Sequence, residues 1–127
     1  MKATEMAALG DVPAYLSRED PLRRPLDLVH LSRYTLGNRG LEAELLGLFR
    51  AQADLYVARL AAAESDKDWK DTAHSLKGSA RGLGAWSLAD LAEEAECLAD
   101  AGARPAMTAR IRDAIGVVNL FIDELMA

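Results

Sequence analysis

From Pro25 to the end of the chain, apolar residues return every three or four positions and nowhere alternate with period two. That spacing puts them on one side of a helix and gives a sheet nothing to build on. Asn-Gly and Asp-Gly, the commonest hairpin dipeptides, are absent as well. Capping and stop residues then divide the run. Asp27 can cap a short helix reaching Tyr34 to Leu36, with Leu28, Leu31 and Tyr34-Thr35 turned inward. Gly37 is its stop signal, and Asn38 can cap the next helix. That second helix covers 41–64, with a stripe of Leu41, Leu45, Leu48-Phe49, Gln52, Leu55-Tyr56, Leu60 and Ala63.

Ser65 or Asp66 caps a third helix over 67–83, and residues 84–87 make a short turn. Ser87, with Asp90 three positions on, resembles a capping box for the fourth helix. That helix buries Leu88, Leu91-Ala92, Ala95 and Leu98-Ala99 and ends at Gly102. Pro105 suits the first turn of the last helix, whose stripe is Met107, Ile111, Ala114-Ile115, Val118, Phe121-Ile122 and Leu125. Four long helices on short turns should lie antiparallel to their neighbours. The expected fold is all-α, an antiparallel up-down-up-down four-helix bundle with a short additional N-terminal helix. The bundle takes residues 26–127. Residues 1–25 read as a partly irregular arm, since Pro13, Pro21 and Pro25 break any long helix.

Composition narrows the function. A net charge of −5 disfavours nucleic acid, which needs clustered positive charge. A single cysteine, Cys97, makes no internal disulfide and, set among Glu93, Glu94 and Glu96, reads as packing rather than a reactive thiol. Two histidines and one cysteine, far apart in sequence, match no metal-ligand spacing. No apolar run approaches the ~20 residues of a membrane span, the start lacks a signal-peptide pattern, and no Gly-rich nucleotide loop is present. A cytoplasmic location, no membrane partner and a monomeric state are the expectations.

One stretch departs from ordinary helix composition: His74-Ser75-Leu76-Lys77-Gly78-Ser79-Ala80-Arg81-Gly82-Leu83-Gly84-Ala85. With Trp69 set at zero on the helical wheel, Ala73, Leu76, Ala80 and Leu83 fall within roughly 40°, a core-facing stripe. His74 then lies at about 140°, Lys77 at about 80°, Gly78 at about 180° and Arg81 at about 120°. An exposed imidazole is largely neutral at cellular pH and offers a nucleophilic nitrogen. Lys77 and Arg81 can pair with negative charge gained there. Gly78 removes the side chain at the i+4 position. Glycine inside a helix costs roughly 1 kcal/mol relative to Ala, a cost that suits a surface meant for close approach. A histidine without such neighbours is simply solvated. His30 reads as incidental in this sense, Gln52 as a satisfied interior amide, and Trp86 as either a core plug or a contact residue.

The segment Ala73-His74-x-Leu76-Lys77-Gly78-Ser79-Ala80-x-x-Leu83-Gly84-Ala85 resembles the signature of histidine phosphotransfer (HPt) domains of phosphorelays. Leu26-Asp27-Leu28 and the stretch from Thr35-Leu36-Gly37-Asn38 to Leu48-Phe49 resemble the start of such bundles, so the likeness covers about 26–125. The resemblance implies that His74 accepts a phosphoryl group at its outer ring nitrogen from a receiver-domain aspartate and relays it to another receiver. It implies that Lys77 steadies that group, that Gly78 lets the receiver approach, and that Ser79 supports the histidine's setting. Leu83, Gly84 and Ala85 would close the helix. Ser79, Arg81 and Gly84 complete the binding residues, Arg81 on the wheel alone. The implied partners are response-regulator receiver domains and a hybrid sensor kinase. No cofactor is implied, Mg²⁺ coming with the receiver, and the chain is a stoichiometric carrier rather than an enzyme. The alternative is a non-phosphorylated helical adaptor for receiver or kinase domains. Residues 48–55 and 87–90, beside the His74 helix, are the expected partner-choosing surface.

Overall fold

The computed structural model describes residues 24–127, and within them every regular element is helical. The arm expected over 1–25 lies outside the described residues apart from Arg24 and Pro25. The helices are α1 (Leu28–Thr35), α2 (Arg39–Ala62), α3 (Asp66–Leu83), α4 (Trp86–Glu96) and α5 (Arg104–Met126), with a 3₁₀ turn at Ala101–Ala103 before α5. The four longer helices pack in a ring, α2 on α3, α3 on α4, α4 on α5 and α5 back on α2. Helix α1 lies against α2 and α3.

Local chemistry sets most of the boundaries. Asp27 accepts from the His30 amide at 3.1 Å, Asn38 from Leu41 at 3.0 Å, and Ser65 from Asp68 at 3.1 Å, so each satisfies an orphan donor of the first turn. Of the two expected caps for α3, Ser65 takes the role and Asp66 opens the helix. Helix α1 ends with Leu36 in the left-handed region at φ 56°, followed by Gly37 at φ 78°. Helix α3 closes in a Schellman motif: Ala85 donates to the Ala80 carbonyl at 2.8 Å and Gly84 to Arg81 at 3.1 Å, with Gly84 at φ 78°.

Gly84 also meets α1. The Asp27 amide donates to its carbonyl at 2.9 Å, and a Cβ at position 84 would stand 3.0 Å from both the Asp27 Cβ and the Asp27 carbonyl oxygen. Gly84→Ala therefore combines left-handed strain with overpacking and is expected to cost about 2–4 kcal/mol in urea unfolding. A loss below ~0.5 kcal/mol would show that the α1 contact gives way freely.

Two expectations for α4 are corrected. The Ser87–Asp90 box does not stand at the start of α4, because the helix begins at Trp86, two residues before the start such a box would give, with Ala85 at its cap position and no side-chain hydrogen bond from that cap. Nor does the helix run to Gly102. The Ala95 carbonyl accepts from the Trp69 indole at 2.7 Å and from Leu98 at 3.1 Å, the helix stops at Glu96, and Ala99 is exposed. Asp100 then caps the 3₁₀ turn by accepting from Gly102 at 2.9 Å.

The stripe of α2 is also turned. Leu46, Phe49, Ala53 and Leu60 are buried, whereas Leu41, Leu48 and Leu55 are exposed, the last two at 55%. Gln52, expected inside, is on the surface. On the wheel these four lie about 60–120° to one side of Phe49. Helix α2 thus carries a core arc facing the bundle and an apolar shoulder beside it. Leu48 and Gln52 on that shoulder border α3.

Candidate functional site

Helix α3 presents different residues to its two neighbours. Trp69, Ala73, Leu76, Ala80 and Leu83 are all buried, as the wheel places them. Lys77 and Arg81 lie toward α4 and Ser79 toward α2, while His74 stands on the exposed crest between them, its side chain 69% accessible.

On the α4 side, the Glu96 carboxylate reaches two α3 residues at once. Its Oε2 is 2.9 Å from His74 Nδ1, and its Oε1 is 2.6 Å from Lys77 Nζ. The Lys77 side chain is only 15% exposed and Glu96 26%, so the pair is partly withdrawn from water. Lys77 first and His74 second hold the Glu96 carboxyl below its ordinary pKa, against a smaller opposing push from desolvation. Its stabilising contribution is therefore present at neutral pH and is lost as pH falls through the depressed value. An ionised carboxylate only accepts, so a hydrogen bond at this distance requires His74 to donate from Nδ1. Nε2 lies across the ring from that contact.

One turn beyond Lys77, Arg81 pairs with Glu93 of α4 at 2.9 Å. It is seven residues from His74, about 10 Å along the helix, and the structure engages it with Glu93 rather than beside the imidazole. Ser79 exchanges a 2.7 Å hydrogen bond with the Tyr56 hydroxyl of α2, tying the two helices together behind His74. Gly84 is buried at the α1 contact, ten residues and about 15 Å along α3 from His74. The geometry thus gathers His74, Lys77 and Gly78, with Ser79 on the flank, and leaves Arg81 and Gly84 elsewhere.

A Cβ built on Gly78 or Gly82 meets no heavy atom within 4 Å. The bundle itself does not need either glycine for packing. Both border a shallow groove of about 160 Å³ between α2 and α3, lined also by Tyr34, Leu45, Leu48, Gln52 and Ser79. The apolar shoulder of α2 therefore forms one wall of a groove whose other wall begins one turn from His74.

Glu96 is the site residue that sequence reasoning missed, since it enters there only as one of the acids around Cys97. A signal exists in hindsight: bases at 77 and 81 face acids at 96 and 93 in a descending order that antiparallel neighbours would match. At the end of α3, Trp86 is partly buried and donates from its indole to Asp27 Oδ2 at 2.9 Å. That bond, more than the nearby His30, holds the Asp27 carboxyl below its ordinary pKa against burial. His30 stands edge-on to Trp86 with ring centroids 4.9 Å apart, so it is a packing residue of the α1 contact. Cys97 is exposed rather than packed. Among the described residues, no three acids, histidines or cysteines gather as metal ligands, and no helix is long and apolar enough to cross a membrane.

Residues 44–127 match the family described as Hpt domain. No curated protein and no solved structure matches the chain.

Proposed function

The chain belongs to the Hpt domain family, the phosphocarriers of two-component signalling, and from that premise we propose that it relays phosphoryl groups through His74. In this reading the Nε2 lone pair attacks the aspartyl phosphate of a receiver domain. The phosphoryl group then passes from His74 to the aspartate of another receiver. The observation that supports it best is an exposed imidazole whose Nδ1 is engaged by Glu96, which leaves Nε2 as the nitrogen outside that contact.

Lys77 would swing its flexible stem from Glu96 toward the phosphoryl oxygens and steady them. Transfer of this kind is mainly positioning and charge stabilisation, so the carrier needs no cofactor and the receiver brings the Mg²⁺. The groove beside Gly78 and Gly82, walled by Leu48, would seat the receiver's surface. Residues 26–127 would form the antiparallel up-down-up-down bundle, with α1 closing one end. A cytoplasmic monomer loaded through a hybrid sensor kinase completes the reading.

The test is incubation with a phosphorylated receiver domain. Acid-labile phosphate should move to the chain. If the receiver binds and none moves, the carrier reading fails and a helical adaptor using the same groove replaces it. Position 78 gives a second test. Gly78→Ala should raise stability by roughly 1 kcal/mol, because a methyl group fits the fold freely and Ala favours helix. Gly78→Gln should slow transfer at least tenfold by blocking the receiver's approach. Unchanged transfer with Gln at 78 would contradict the steric role.

A further inference from the structure

Helix α2 has an outer face that neither the core nor the His74 site uses in full. Leu41, Leu48 and Leu55 recur there at a spacing of seven, Ala62 continues the series, and all four are exposed. We propose that two copies of this chain pair antiparallel along this face of α2, in a reversible dimer that covers part of the relay surface. The pairing stands on its own geometry, and its effect on relay rests on the carrier role of His74.

The wheel sets the direction of this face. With Leu48 at zero, Leu41, Leu55, Glu44, Arg59 and Ala62 fall within about 40°. The buried residues Leu46, Phe49, Ala53 and Leu60 lie about 100–160° away. The stripe therefore points away from the bundle, along a helix of 24 residues that is about 36 Å long. A seven-residue apolar repeat is the pattern that keeps one seam turned toward a partner helix. The groove beside Gly78 takes in only Leu48 of the three leucines, so a receiver seated there does not account for Leu41 and Leu55.

The order of residues along the stripe selects a second copy as the occupant. Place a two-fold axis between Ala51 and Gln52, normal to two antiparallel α2 helices. Leu48 of one protomer then faces Leu55 of its partner, Leu41 faces Ala62, and Glu44 faces Arg59. Each contact occurs twice, as an isologous interface requires. Leucine layers flank the axis, a carboxylate–guanidinium pair follows on each side, and a Leu–Ala layer ends the seam. Glu44 and Arg59 are both exposed and have no ion-pair partner among the described residues. A parallel pair would instead set Glu44 against Glu44 and Arg59 against Arg59, which like-charge repulsion opposes. A contact one helix wide falls at the low end of specific interfaces, below about 1,200 Å², and suits a reversible pair. Leu48 belongs both to this seam and to the groove beside Gly78. A second copy and a receiver therefore exclude one another, and the monomer is the relaying form.

Sedimentation equilibrium of the full chain from ~1 µM to ~1 mM tests the pairing. Wild type should show a reversible monomer–dimer equilibrium. Glu44→Arg should weaken it at least tenfold by setting two arginines face to face, and adding Arg59→Glu should restore it. Leu55→Glu should also abolish the dimer, with an unchanged urea curve because Leu55 lies outside the core. A wild type that stays monomeric over the whole range overturns the proposal. So does a dimer that the charge exchange fails to weaken and then rescue. The effect on relay is read as phosphate uptake per chain from a phosphorylated receiver. Uptake should fall as wild type passes through its dimer range and stay level in Glu44→Arg. Undiminished uptake by the dimer overturns the exclusion of the receiver. A chain that pairs and responds to the charge exchange, yet takes up no phosphate at any concentration, overturns the relay reading and leaves the pairing supported.

Discussion

His74→Gln is expected to abolish uptake of acid-labile phosphate from a phosphorylated receiver, a loss of at least a thousandfold, while leaving the fold intact. The reasoning separates chemistry from stability. The His74 side chain is 69% exposed and outside the core stripe, so its replacement leaves no cavity. What it loses on the structural side is one exposed hydrogen bond to Glu96, a small contribution beside the core packing that the change leaves untouched. A glutamine offers no nucleophilic nitrogen, and no other imidazole is available on this face. His30, the second histidine, is edge-on to Trp86 at the α1 contact. Matching urea curves with absent phosphate uptake are the expected pair of results. Uptake that survives in His74→Gln would move the site elsewhere.

The largest expected effect on stability belongs to Trp69. Its ring is fully buried, its indole donates to the Ala95 carbonyl at 2.7 Å, and the Arg104 guanidinium lies over the ring at 5.3 Å while pairing with Asp66. One side chain thus fills the centre of the bundle, ends α4 and orders the start of α5. Trp69→Ala should cost about 3–5 kcal/mol by transfer and cavity terms. Against a total of about 5–15 kcal/mol for a domain of ordinary stability, that leaves a marginal protein. Trp69→Phe isolates the hydrogen bond. Most of the apolar ring remains, and the loss should include about 1 kcal/mol for the missing donor. Amide exchange should then quicken at Leu98, which shares the Ala95 carbonyl. A Trp69→Ala cost under about 1 kcal/mol would mean that the bundle collapses around the gap without penalty, contrary to close packing.

Apart from the start of α4, the helix caps and stops that depend on neighbours along the chain were legible in the sequence. Asp27, Asn38 and Ser65 cap the helices that they precede, and Gly84 closes α3, because these effects act within a turn of the residue responsible. The crest position of His74 followed from the 100° step alone. What escaped depends on contacts distant in sequence. Helix α4 stops at Glu96 where an indole 26 residues away takes the Ala95 carbonyl, which no local pattern announces. The rotation of α2 was hidden because Leu48 and Leu55 extend the apolar arc beyond what the core uses. Arg81 looked like a phosphate ligand until α4 supplied Glu93. Glu96 read only as an acid near Cys97, and the register of α4 against α3 is what sets it between His74 and Lys77.

The site also explains why a basic residue so near His74 need not bind the imidazole itself. Lys77 and His74 share one carboxylate, so charge at the site is nearly balanced before phosphorylation. An arriving dianion would disturb that balance and favour release of Lys77 toward it.

The central claim is that His74 carries a phosphoryl group at Nε2. It is tested most directly by incubating the wild-type chain with a phosphorylated receiver and recording ³¹P–¹H correlations of the product under alkaline conditions. The account predicts a single phosphohistidine, substituted at Nε2 and mapped to His74. A phosphoryl group on Nδ1, on His30 or on no histidine at all would contradict it.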